Sequence, residues 1–520
     1  MASTFSYGIE QLTIGIALQI ARGEIQGKLT AAAIQKIKAS HDEVQKIVAN
    51  GRTVYGVNTG FGILANTAIS KEDTALLQYK ILQSHSVGVG EAIPEEIAKL
   101  MMIIKVHALS QGYSGVQLST LERIIWHIDQ DIIPVVPEKG SVGASGDLAP
   151  LAHLFLPLLG LGEVFYKGKK QDAKEILDQF QLTAINLGPK EGLALINGTQ
   201  FIAAFAVKAI QKMHNCLEAA DIIGAMSLEA LTGTKAPFDE RLHQLRPFAG
   251  NQLVAQRLRI LLSDSAIMQS HIDCGRVQDP YSLRCMPQVH GASRNAWLHL
   301  KEVTVTELNA VTDNPIILSA EDTVSGGNFH GQPLALPLDY CCFAAAEIGN
   351  ISDRRSYLLL EGKWGLPLLL MQDVGLNSGF MIPQYTTAAL VTENKTLCFP
   401  ASADSIPTSL GQEDHVSMGS ISGRKLYRVL ENLEQIIAIE LLSACQAIEF
   451  RRPLKSSVLL EFAHDYVREF VSFAEEDRIF ANDINAVTKI ITDFSFVEKI
   501  NAFAIDKKQM LHKGFEQFAL

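Results

Sequence analysis

Apolar residues recur every three or four positions through residues 201–231, FIAAFAVKAIQKMHNCLEAADIIGAMSLEAL, the spacing that gathers them on one face of an α-helix. The same period runs through 337–362, PLDYCCFAAAEIGNISDRRSYLLLEG, and through 424–450, RKLYRVLENLEQIIAIELLSACQAIEF, and predicts two further long helices. At a rise of about 1.5 Å per residue, each extends on the order of 40 Å. Several are apolar around most of their circumference, which places them at the centre of a bundle or in a subunit interface. Residues 1–200 are more mixed and carry glycine-rich connections at 55–62, 84–90 and 140–146. The expected fold class is mainly α, a long-helix bundle with a mixed, loop-rich N-terminal part. The expected division is 1–200 and 201–520, with no repeat or proline-rich linker to sharpen it.

Composition narrows the class of partner. A chain of 520 residues is too long for one simple core, and 47% hydrophobic against 19% charged residues supplies a large interior. A net charge of −11 argues against nucleic acid or an anionic membrane surface as partner. The seven cysteines are scattered without metal-ligand spacing and read as thiols of a reducing compartment. The N-terminal MASTFSYGIEQ lacks the order of an export signal, and no apolar run reaches the roughly 18 residues of a membrane span. A soluble cytoplasmic protein, binding no metal or nucleotide, is the expectation.

The chemistry is concentrated in KGSVGASGDLAPLAH, residues 139–153. A phosphate-binding loop needs a lysine after its last glycine, and none is present. A nucleophile elbow needs glycine where Asp147 stands. One remaining reading is structural: a tight turn, then a helix capped by Asp147 with Pro150 in its first turn. The other is that the backbone reacts with itself. If a strained turn presses the Gly146 nitrogen against the Ala144 carbonyl carbon, a five-membered ring can close. Glycine leaves that nitrogen uncrowded. Loss of water from the ring and of the Ser145 hydroxyl then leaves an alkene conjugated to an imidazolone, an electrophile made without metal or vitamin.

GSVGASGDLAPLAH resembles the prosthetic-group segment of the aromatic amino acid ammonia-lyases. The resemblance continues in the same order through VYGVNTGFG, EGLALINGTQ, VQDPYSLRCMPQVHGA, TDNPI, SGGNFHG, LNSGFMIPQYTTAAL and PTSLGQEDHVSMG. It implies the ammonia-lyase/fumarase-like helical architecture, a homotetramer whose active sites draw on three subunits, and no separate shielding domain. It also implies that Ala144, Ser145 and Gly146 form 4-methylideneimidazole-5-one (MIO). The nearest branch acts on L-histidine, giving trans-urocanate and ammonia. A tyrosine ammonia-lyase and an aminomutase stay open as alternatives, as does a bundle-forming binding protein whose turn never cyclises.

Carried over position by position, the resemblance makes Tyr55 the base. Half-ionising a free tyrosine at pH 7 needs about 4 kcal/mol of local stabilisation. Helix N-termini and a nearby cation are the expected source, and Gly56, Gly60 and Gly62 suit a loop that closes over substrate. In QDPYSLR, Asp279 is a natural N-cap and Pro280 fits the first helical position, with Tyr281 and Arg284 three apart on one face. The resemblance has Arg284 grip the substrate carboxylate through paired hydrogen bonds, with Gln278 and Tyr281 lining the prosthetic-group side. Asn197 is a donor to the carboxylate or the imidazolone, and Phe329 an aromatic wall. His85 reads the distal end of the substrate ring and suits a polar one. Glu413 pairs with an imidazole, where tyrosine and phenylalanine enzymes tend to have glutamine. Ser86–Val87 and His290 depart from the commonest wording of the histidine branch and bear on substrate range.

Overall fold

The computed structural model describes residues 4–60, 62–64, 69–70, 73–272 and 275–520, so Phe61 of the glycine-rich motif and Cys274 lie outside the described residues. Helices hold 58% of the chain, a mainly α protein as the periodicity predicts. The helices that matter for the site are α1 (Thr74–His85), α2 (Glu95–Leu109), α3 (Leu148–Phe155), α4 (Glu191–Ile196) and α5 (Gln200–Ala230). They are followed by α6 (Met286–Leu308), α7 (Gln332–Leu359), α8 (Met381–Leu397) and α9 (Gly419–Glu449). The three long helices expected from periodicity are α5, α7 and α9. α7 runs through Pro337, which reads in sequence as a helix start but sits inside the helix. α6 escaped the periodicity because its buried positions include His290, Ser293 and Arg294.

Two compact units are present. The first comprises Met1–Lys208, Leu300–Asp339 and Pro400–Arg424; the second comprises Ala209–His299, Tyr340–Phe399 and Lys425–Leu520. In the first, α2 packs between helices Ile14–Ala21 and Leu118–Asp129, and every residue from Ile97 to Leu109 is buried. Each leucine or isoleucine buried there contributes roughly 1.5–3 kcal/mol. α1, α3 and α4 pack against one another as a triangle. Strand Val89–Ala92 pairs antiparallel with Pro137–Lys139, with Val89 opposite Lys139, and this short ladder delivers the chain into the glycine-rich loop at 140–146.

The second unit holds a buried ionic cluster. Arg257 meets Glu218 and Asp221 at 2.7 Å each, while Arg294 meets them at 2.8 and 2.6 Å. Burial opposes their charge, yet the two guanidiniums hold both carboxyls below the usual carboxylate range. His290 completes the cluster, its Nδ1 2.8 Å from Asp221. His290 is therefore accounted for by packing. Among the described residues one helix, α7, is long and apolar enough to cross a bilayer, and 72% of its apolar window is buried in the protein.

Candidate active site

A cavity of about 620 Å³ opens within the first unit, a volume suited to a small molecule. α1 presents Leu77, Lys80, Ile81, Ser84 and His85 to it, a helical spacing of three and four. Tyr55, Gly60 and Gly62 come from the N-terminal loop, Ala144 and Ser145 from the glycine-rich turn, and Glu413 from the segment before α9. Leu148, Leu193 and Ile196 make an apolar floor. A smaller cavity of about 210 Å³ shares His85 and Ala144 and is also lined by Gly146. Of the sequence-predicted residues, Tyr55, His85, Ala144, Ser145 and Glu413 are thus brought to one wall-lined space, with Gly146 alongside.

The turn at 144–146 is tightly constrained. Ser145 has φ +50°, a left-handed value that a serine rarely adopts, and Gly146 follows with φ +85°. A side chain at Gly146 is impossible, because its Cβ would stand 2.1 Å from the Gly198 carbonyl oxygen. Two hydrogen bonds join these segments: Gly198 N–H donates to the Ser145 carbonyl at 3.2 Å, and Asp147 N–H donates to the Gly198 carbonyl at 2.7 Å. The expected Asp147 cap on α3 is absent; its carboxylate instead accepts from Ile202 N–H in the first turn of α5 (3.0 Å) and from Ser141 Oγ (3.2 Å). Burial pushes the Asp147 carboxyl up to about 7 despite these bonds. From the other side, Met418 N–H donates to the Val142 carbonyl at 3.1 Å and Ser420 Oγ to the Ser141 carbonyl at 2.7 Å. A left-handed turn with a glycine nitrogen that carries no side chain, held by hydrogen bonds on two sides and open to a cavity at Ala144 and Ser145, fits the MIO ring.

Glu413 acts through space on both titratable neighbours. Burial raises the Tyr55 phenol above its ordinary value, a hydrogen bond from Gly62 N–H to its Oη (3.2 Å) opposes this, and Glu413 raises it further. The expected lowering is therefore not found within this chain, because burial outweighs the single amide donor. His85 is lowered by burial, against the Ile81 carbonyl and Glu413, which raise it. Burial thus favours its neutral imidazole, with Nδ1 3.0 Å from Ser84 Oγ.

The other predicted residues lie elsewhere. Asn197 caps the C-terminus of α4 and is buried; its Nδ2 donates to the Asn314 carbonyl at 3.0 Å, while its Oδ1 has no partner. Half-buried Phe329 is outside the cavity lining, next to His330, whose ring stacks on His415 at 5.8 Å. Gln278, Tyr281 and Arg284 belong to the second unit and do not line this cavity. The expected helix there is a single turn, Tyr281–Arg284, capped by Pro280. Asp279 does not cap it: its carboxylate accepts from Thr234 N–H at 2.6 Å and pairs with Arg276 at 3.1 Å. Tyr281 is 71% exposed, and the Arg284 guanidinium lies over its ring at 4.4 Å. Lys80 and Ser84 were not anticipated; they stand four apart on α1, on the turn that also brings His85 to the cavity.

Residues 12–469 match the aromatic amino acid lyase family. The chain belongs to that family. It is 45% identical to a histidine ammonia-lyase of Pseudoalteromonas atlantica over 492 residues, covering 94% of this chain and 97% of that one. A histidine ammonia-lyase of Idiomarina loihiensis is 47% identical over 467 residues, covering 89% and 91%. Among solved structures, the histidine ammonia-lyase of Trypanosoma cruzi superimposes with a TM-score of 0.88 at 40% identity, covering 96% of this chain and 95% of that one. A tyrosine aminomutase of Streptomyces globisporus gives 0.91 at 32% identity, covering 96% and 98%. The lyase backbone is thus shared by enzymes of different named activity, and side chains must discriminate among them.

Proposed function

We propose that this protein eliminates ammonia from L-histidine to give trans-urocanate in the cytoplasm. The observation that carries the reading is Glu413 and His85 on the walls of the same cavity as the Ala144–Ser145 turn. The named activity of the curated relatives points the same way. When formed from Ala144, Ser145 and Gly146, MIO supplies an electrophile that turns the substrate amine into a better leaving group. Tyr55 Oη, as the phenolate, takes the β-proton and becomes the neutral phenol; Gly62 N–H steadies the phenolate before the transfer. Glu413 accepts from the substrate imidazole, while His85 offers its ring to the distal end. Asn197 contributes its amide to the carboxylate or to the imidazolone, and Phe329, which does not line the cavity of its own chain, an aromatic wall from another copy.

Gln278, Tyr281 and Arg284 come to the cavity from other copies in a homotetramer. An apolar face of α7 supports assembly: Leu336, Tyr340, Phe343 and Tyr357 stand at helical spacing with about half their surface exposed. Arg284 then meets the substrate carboxylate as a planar fork. Incubation with L-histidine and with L-tyrosine tests the activity. Urocanate from histidine is expected, whereas coumarate from tyrosine with histidine inert overturns the assignment, and a β-amino acid product marks an aminomutase. Glu413→Gln is expected to lower kcat/KM for histidine by roughly 10- to 100-fold, the worth of a hydrogen bond to a charged group. An unchanged kcat/KM shows that Glu413 does not read the ring.

A further inference from the structure

Beneath the glycine-rich turn lies a lysine with no role so far. Lys105 stands on α2 within the apolar run LMMIIKVHAL and is 1% exposed. Its ammonium donates to the Asn197 carbonyl at 2.5 Å and to Gln200 Oε1 at 3.4 Å. Burying an ammonium costs several kcal/mol unless it is paired. Asp313 favours its charge through space but is itself engaged by Lys190, and burial pushes the Lys105 amine down to about 7. A side chain held at that cost is unexplained by packing, since methionine would fill the space.

What Lys105 grips is the segment that clamps the turn. Asn197 immediately precedes Gly198, whose N–H and carbonyl bond to Ser145 and Asp147. Gly198 has φ +125° and no room for a side chain, because its Cβ would fall 2.6 Å from Thr312 Oγ1. Gln200, the second acceptor of Lys105, donates in turn to Thr312 Oγ1 at 2.9 Å. The Asn197 side chain is tied to the Asn314 carbonyl, so 197–200 is anchored toward 312–314 on one side and presses on 145–147 on the other.

We propose that Lys105 is a positioning residue for closure of the 144–146 ring, holding the Asn197 carbonyl so that Gly198 keeps its hydrogen bonds to Ser145 and Asp147 and fixes the turn. The inference rests on the reading that this turn cyclises. In closure the Gly146 nitrogen bonds to the Ala144 carbonyl carbon, and that oxygen leaves as water with the amide protons of Gly146 and Ser145. Ser145 then loses its hydroxyl and α-hydrogen as a second water. No oxidant is required, so the rate depends on how closely nitrogen and carbon are held.

The test is intact mass of the full-length protein followed from expression onward, beside thermal melting. Wild type is expected to become two waters lighter. Lys105→Met is expected to fold and melt cooperatively yet to lose the two waters roughly 10- to 100-fold more slowly, the range for a small misplacement of reacting atoms. Lys105→Gln, which keeps a neutral donor on a shorter arm, is expected between the two. A folded Lys105→Met that matures at the wild-type rate overturns the proposal. Failure of both variants to fold overturns it equally, by making Lys105 a requirement of the core. A wild-type chain that never loses the waters removes the cyclisation reading itself, a result visible without either variant.

Discussion

Ser145→Ala is expected to give a folded protein with no detectable turnover of histidine and a mass that never falls by the second water. The Ser145 hydroxyl is the group whose departure leaves the alkene, and alanine has nothing to lose. What remains is general-base catalysis, worth about 10²–10⁴-fold, which does not by itself expel an amine. The fold should tolerate the change. The backbone carbonyl at 145 keeps its bond from Gly198 N–H, and both residues bear the same strain at φ +50°. Thermal melting should therefore stay within the small range of substitutions that disturb no packing, about 0.5 kcal/mol. Mass spectrometry, a urocanate assay and a melting curve on one preparation decide it. Wild-type turnover in this variant would sink the electrophile, and a destabilised variant would make the loss of activity uninformative until a milder change, Ser145→Cys, was measured.

Long helices were the most legible part of the fold, because α5, α7 and α9 bury apolar stripes whose period survives in the sequence. Helix starts were less so. Pro337 resembles an N1 proline yet lies inside α7, and Asp147 has the form of a local cap yet serves α5, because Gly198 diverts the backbone beside it. Such tertiary choices leave no trace in local pattern. The interleaving of three chain segments in each unit is hidden for the same reason. The long helices carry the chain out of one unit and into the other, so no linker marks the change.

Site residues separate along a similar line. At Ser145 and its neighbours the chemistry of the triplet left a plain turn and a self-formed ring both open, and the resemblance chose the ring. Tyr55, His85 and Glu413 lie far apart in sequence and were placed by resemblance; the cavity now puts them on common walls. Lys105 was invisible, because a lysine in an apolar run reads as a side chain whose head reaches water. Here the side chain is buried, and the head turns inward to the Asn197 carbonyl.

Tyr55→Phe is expected to reduce kcat by about 10²–10⁴-fold while leaving KM little changed, the signature of a group that acts only in the proton-transfer step. Phenylalanine keeps the half-buried ring and removes only Oη, with its bond from Gly62 N–H. The pH profile sharpens the test. A phenol works as a base once deprotonated, so wild-type activity should climb with pH along an acid limb and flatten above it. Burial and the Glu413 charge both push Tyr55 upward, so the limb lies to the alkaline side of where an open site would put it. Removing the charge with Glu413→Gln should shift the limb to lower pH, even as that variant binds histidine less well. In Tyr55→Phe the limb should vanish from the residual rate. If Tyr55→Phe turned over normally, or kept the wild-type limb, the proton would be leaving to another group, and the assignment of Tyr55 Oη as the base would be wrong.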